Sequence, residues 1–228
     1  MASRSPRVAA VPVLVLAVLA LAGACDSPSP APPVGPPSED PAGATSPSQS
    51  TIVRSGDGPV VVGPAPEDLR EVEWAEVPTP GEFCGVPELL RFGSGSEVKA
   101  ASTTWGTVRV FRSERFEYGD TDGDRRDEAA VYVACRDTVT MNAQITSGYV
   151  VYARVGDDLA VLGSITPRRK DGAYPTQLTS VEFAPGRIIV HEKWFRPNDA
   201  HCCPSGDATT VWLREADRLT PGTTRVTS

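Results

Sequence analysis

The residues best placed to do chemistry are the acids of one loop, within Y-G-D-T-D-G-D-R-R-D-E-A-A-V-Y-V-A-C at Tyr118–Cys135. Asp120, Asp122 and Asp124 fall at loop positions one, three and five, the oxygen spacing that wraps a hard cation such as calcium. Arg126 holds position seven, where such loops use a backbone carbonyl, and Glu128 at position nine is a further ligand. Position twelve is Val131, which has no oxygen to offer, so the bidentate acid that closes a helix-flanked calcium loop is missing. Position six needs a positive φ and is Arg125, where a non-glycine residue costs roughly 1–2 kcal/mol. A solvated acidic turn is the competing reading, since Asp and Gly make turns unaided. Repulsion does not exclude it: two exposed carboxylates ~6 Å apart in water repel by only about 0.7 kcal/mol. The strict alternation favours calcium, because an ordinary turn needs no acid at every second position.

The segment after the loop reads as strand, not helix. The loop therefore resembles the short D-x-D-G-D-x-x-D/E calcium loops of FG-GAP-type β-repeats, which sit between two strands. It occurs once, so no repeat propeller is implied.

No catalytic constellation accompanies it. His191-Glu192-Lys193-Trp194-Phe195 begins like H-E-x-x-H, but Phe195 stands where the second His would be. There is no G-x-S-x-G elbow and no Gly-rich phosphate cradle. The many acids leave a glycosidase pair open but unsupported. Trp105, Trp194 and Phe195 are candidates for a sugar-stacking surface, against the commoner role of half-buried strand aromatics. Arg168–Gly172 reads as a solvated hairpin tip.

The elements that must position these residues are strands. Thr107–Phe111, Arg115–Tyr118 and Glu128–Cys135 surround the acidic loop. Tyr149–Val155 and Leu159–Ile165 flank Gly156-Asp157-Asp158. Leu178–Ala184 and Arg187–Phe195 flank Pro185-Gly186, and Thr209–Arg214 and Arg218–Leu219 flank Glu215-Ala216-Asp217. Val, Ile, Thr, Tyr and Trp dominate these runs. Val181 and Phe183, with Ile188 and Val190, point one face inward. Pro87–Phe92 could make one helical turn, and Asp68–Glu73 could go either way. The expected fold is mostly β: an antiparallel, hairpin-rich sandwich or partly open barrel with at most short helices.

Residues 1–25 have the three parts of an export signal: Arg4 and Arg7, an apolar run from Val8 to Ala24, and small residues before Cys25. L-A-G-A-C resembles the lipobox of bacterial lipoproteins, which implies a diacylglyceryl group on Cys25 as the first mature residue. Secretion with cleavage near Ala24 is the alternative. Residues 26–66 hold 11 of the chain's 22 prolines and read as a disordered tether, on the order of 125 Å when fully extended. Val60-Val61-Val62 is its one apolar cluster. Residues 67–228 then make a single extracytoplasmic domain. Net charge is −7, and −9 without Arg4 and Arg7. That argues against nucleic acid, whose phosphates need cations, and against a polybasic membrane patch.

Four further cysteines, Cys84, Cys135, Cys202 and Cys203, read as two disulfides in an exported domain. Neighbouring residues hold their Cα atoms 3.8 Å apart, below the usual disulfide range. That favours Cys202 and Cys203 each bonding to Cys84 or Cys135. Zinc on four thiolates is the weaker alternative, because no C-x-x-C pair is present.

These pieces resemble a family of lipoproteins of high-GC Gram-positive bacteria, of the mycobacterial LppP/LprE type. The residues that carry the resemblance are Cys25, V-E-W-A at Val72–Ala75 and G-E-F-C-G-V-P at Gly81–Pro87, with Tyr118–Val131 and H-C-C-P-S-G at His201–Gly206. The resemblance implies a membrane-tethered domain outside the cell and brings no reaction with it. The expected role is non-enzymatic binding or scaffolding of an envelope protein or glycan, with calcium and disulfides for stability. A wall-polymer hydrolase with a structural calcium is the alternative.

Overall fold

The computed structural model describes residues 58–140, 143–169, 172 and 174–228. The export signal, Cys25 and the tether as far as Asp57 lie outside the described residues, as do Met141, Asn142, Lys170, Asp171 and Ala173. The strands are β1 Val60–Pro64, β2 Thr79–Pro80, β3 Leu89–Leu90, β4 Glu97–Ser102, β5 Gly106–Gly119, β6 Glu128–Asp137, β7 Gln144–Val155, β8 Asp158–Ile165, β9 Gln177–Ala184, β10 Arg187–Trp194, β11 Gly206–Glu215 and β12 Arg218–Val226. Among the described residues, helix is confined to two 3₁₀ turns, Leu69–Glu71 and Glu82–Cys84. The fold is mostly β and antiparallel, as the hairpin signals require.

β4 to β8 form a meander and β1 closes its far edge, giving the order β1-β8-β7-β6-β5-β4. This sheet curls as half a barrel. β9 to β12 form a second meander in the order β12-β11-β10-β9. The turns follow local chemistry. Gly156 and Gly186 take φ of 65° and 73°, the left-handed conformation open to a residue without Cβ.

Strand alternation gives the large sheet two buried faces. On one, Ala130, Val151, Ala153, Leu162 and Ile165 meet Leu178, Ile188, Val190 and Trp212 of the small sheet. On the other, Ala129, Val131, Val133, Val150, Tyr152 and Leu159 lie under the N-terminal segment through Leu69, Trp74 and Val77. β6 is therefore covered from both sides, which explains its near-continuous apolar run. Trp74 stacks on Phe116 with ring centroids 4.1 Å apart and donates its Nε1–H to the Tyr118 hydroxyl at 3.1 Å. The Tyr152 hydroxyl donates to Thr79 Oγ1 at 3.1 Å, and burial pushes its phenol up to about 12.

Cys84 bonds Cys135 with Cα atoms 5.6 Å apart, across 51 residues of sequence. A loop of that length is worth about 4 kcal/mol by chain entropy. It pins the N-terminal cover to β6. Cys202 bonds Cys203, with Cα atoms 3.8 Å apart, which corrects the expected pairing of each with Cys84 or Cys135. The reason is layering. Cys135 shares the covered face of β6 with Ala129, Val131 and Val133, while Cys202 and Cys203 sit in the β10–β11 loop of the opposite sheet.

Other differences are local. Val60–Pro64 pairs with β8, so paired chain begins inside the stretch read as tether. Pro87–Phe92 makes no helical turn. Leu89 and Leu90 pair instead with Pro80 and Thr79. Thr107–Phe111 and Arg115–Tyr118 join in one long β5, whose register shifts between Arg112 and Phe116. Asp68 caps the turn at Leu69–Glu71 by accepting from Arg70 N at 2.9 Å. Among the described residues, no helix is long and apolar enough to cross a membrane.

Candidate functional site

Antiparallel meanders send alternate turns to opposite ends of a sandwich. The β5–β6, β9–β10 and β11–β12 turns share one end. The acidic loop is the first of these. Its carboxylates converge: Asp120, Asp122 and Asp124 each place one oxygen within 4.8 Å of the others. Oxygens ~2.4 Å from a calcium ion lie at most about 4.8 Å apart, so the three fit one ion. Arg125 has φ 70°, the positive value that position six requires.

The same oxygens also hold the loop's own backbone. Asp120 accepts from Gly123 N at 2.7 Å and Arg125 N at 3.0 Å. Asp122 accepts from Asp124 N at 3.2 Å. Asp124 accepts from Arg126 N at 2.8 Å and from Arg126 Nε at 2.9 Å. Partial burial works against charge on Asp124, but Arg126 outweighs it and holds the carboxyl below its ordinary range. Arg126 thus enters the loop through its guanidinium.

Glu128, expected as a further ligand, turns elsewhere. It is the first residue of β6 and shares the inward register of Ala130, so strand alternation aims it at the small sheet. There it pairs with Arg214 Nη1 of β11. Its Oε2 accepts from Thr121 N and Oγ1, both at 2.6 Å. Both charged side chains are nearly buried, at 8% exposed for Arg214 and 5% for Glu128. Arg214 also reaches Asp122 Oδ2 at 2.8 Å and donates Nε–H to the Ala216 carbonyl at 3.0 Å. Burial pushes the Glu128 carboxyl up, partly offset by Thr121 and Arg214. The loop docks on the neighbouring turn as well, where Gly186 N donates to the Thr121 carbonyl at 2.6 Å.

Arg214 is the residue that sequence reasoning missed. A signal was present. β11 buries Ala208, Thr210 and Trp212 on alternate positions, and Arg214 continues that register. A charge on an inward register needs a partner, and Glu128 is the acid at the same end in the same situation.

The opposite end carries grooves. The first, about 560 Å³, is lined by Phe83, Trp105, Thr146, Thr166, Tyr174 and Thr176, among others. The second, about 440 Å³, shares Tyr174 and Pro175 and adds Tyr132, Gln144, Phe195 and His201. Trp105 and Tyr174 are 55% and 40% exposed. Tyr174 packs edge-on against Phe195 at 5.1 Å and His201 at 4.3 Å. Of the three aromatics singled out in the sequence, Trp105 lines the first groove, buried Phe195 lines the second, and Trp194 lies against Gly206. His191 faces Glu182, with Nε2 3.2 Å from Oε1.

No family model, no curated protein and no solved structure matches the chain.

Proposed function

We propose that the chain is an extracytoplasmic binding domain, tethered to the membrane by a lipid on Cys25, that holds an envelope glycan in its end grooves. The observation that carries this reading is the pair of exposed aromatics, Trp105 and Tyr174, flanking a groove whose wall also carries the hydroxyls of Thr146 and Thr166 and the charged side chains of Glu82 and Arg169. An exposed ring offers a flat apolar face to the C–H side of a pyranose. Thr146 and Thr166 supply donors and acceptors for its hydroxyls. Binding is favoured over hydrolysis because glycosidases need a pair of carboxylates. Among the described lining residues of the first groove the one acid is Glu82. Calcium at Asp120, Asp122 and Asp124 has a structural part in this reading, at the far end from the ligand. Glu128 is given to its ion pair with Arg214 and stands outside the set, while Arg126 keeps position seven, where its carbonyl is the group on offer.

The test is tryptophan fluorescence during titration with cell-wall oligosaccharides. A saturable change that Trp105→Ala abolishes without lowering Tm supports the proposal. Oligosaccharides that leave both the emission and a parallel calorimetric titration flat overturn it. The anchor is tested separately, since Cys25→Ser moves the protein from the membrane fraction to the medium if the lipid reading holds.

A further inference from the structure

We infer that Cys202–Cys203 is a redox-active dithiol–disulfide centre, unlike the structural bridge Cys84–Cys135. Three observations separate the two. First, a disulfide stabilises chiefly by closing a loop in the unfolded chain. Cys84–Cys135 closes one of 51 residues, whereas Cys202 and Cys203 are neighbours and close none.

Second, thiol–disulfide exchange requires a nucleophile to reach a sulfur. Cys84 and Cys135 are fully buried, while Cys202 and Cys203 are both exposed. Third, the loop that carries the exposed pair is held without it. One oxygen of Asp199, Oδ2, accepts from Arg196 N at 2.7 Å and from Ser205 N at 2.8 Å, joining the two ends of the loop. Cys203 N adds a turn bond to the Ala200 carbonyl at 2.9 Å. The bridge therefore has no structural task that its surroundings leave undone.

The partner is a dithiol reductant. One of its thiolates attacks Sγ of Cys202 or Cys203, the S–S bond breaks, and the displaced thiolate takes a proton. The reductant's second thiolate then attacks its own sulfur in the mixed disulfide and releases the second cysteine as a thiol. The pair gains two electrons and two protons, and the reductant leaves as a disulfide. Oxidation by a low-molecular-weight disulfide reverses the sequence.

The experiment is graded reduction of the folded, oxidised protein with dithiothreitol, followed by alkylation and peptide mapping. The expected result is label on Cys202 and Cys203 at least 10-fold faster than on Cys84 and Cys135. Tm changes by less than 2 °C, and oxidised glutathione restores the intramolecular bridge. The double variant C202S/C203S is expected to keep the same Tm, whereas C84S/C135S loses several degrees or fails to fold. Two results would overturn the inference. One is a Cys202–Cys203 bridge that opens only together with Cys84–Cys135. The other is a C202S/C203S variant whose Tm falls as far as loss of a staple demands.

Discussion

Removing Arg214 tests how the acidic loop is joined to the core. Its guanidinium meets Glu128 across the sandwich and Asp122 in the loop. Arg214→Met keeps most of the side-chain volume and deletes the charge. Breaking a buried pair on one side costs about 3–5 kcal/mol, because the other charge is left uncompensated. Here the lower figure applies, since Thr121 N and Oγ1 still hold Glu128, and half-exposed Asp122 can turn to water. About 3 kcal/mol in a domain of this size lowers Tm by roughly 6–12 °C. Adding Glu128→Gln removes the stranded charge but keeps an acceptor for Thr121, so the double variant recovers more than half of the loss.

The deficit is also pH-dependent. Without Arg214, Glu128 can escape the cost of charge by taking a proton. Each pH unit is worth about 1.36 kcal/mol, so the loss at pH 7.5 exceeds that at pH 5 by up to roughly 3 kcal/mol. Thermal unfolding followed by circular dichroism, at both pH values, reads all of this. A single variant within 2 °C of the parent, or a double variant no better than the single, would refute the reasoning.

Calcium at the Asp triad is expected to raise Tm: with a Kd near 1 mM, 10 mM ion contributes about 1.4 kcal/mol by linkage. Equal melting curves in calcium and in chelator would remove the ion from the proposed function. Arg125→Gly relieves a left-handed residue, φ 70°, and should stabilise by about 0.5–1 kcal/mol after the added unfolded-state entropy, read as a higher urea midpoint. Asp124, Asp137 and Asp199 are held below the usual carboxylate range. Their contribution is complete above the unfolded Asp value, about 3.9, and is lost as pH falls through their lower folded values. Glu128 runs the opposite way, because its raised value favours folding in acid and that gain is lost as pH rises through it. The three aspartates outnumber it, so Tm should drop below about pH 4, and a Tm that climbs steadily down to pH 3 would contradict the assignment.

The hairpins were legible because their signals are local: Gly156, Pro185-Gly186 and Glu215-Ala216-Asp217 each sit between runs of β-forming residues. The acidic loop was legible for the same reason. β4 was not, because E-V-K-A-A-S has one strong β-former, Val98, and its polar–apolar alternation breaks at Ala101, and its pairing with β5 supplies what its composition lacks. Glu128 looked like a loop ligand because linear spacing counts positions and ignores which way a strand faces. Its partner lies 86 residues away, and only the stacking of two sheets brings it near. The cysteine pairing failed likewise, since adjacency in sequence was weighed without the layers that keep Cys135 from Cys202.

β1 has a consequence for how the molecule keeps to itself. Val60–Pro64 occupies the margin of the large sheet beside β8. A chain begun at Glu67 would keep every hairpin yet leave the backbone of Leu159–Val161 unpaired along an open seam. Unpaired strand margins template the addition of further strands from other copies. The short run of valines at the end of a proline-rich stretch thus serves as a selvage, and self-association should start where it is cut away.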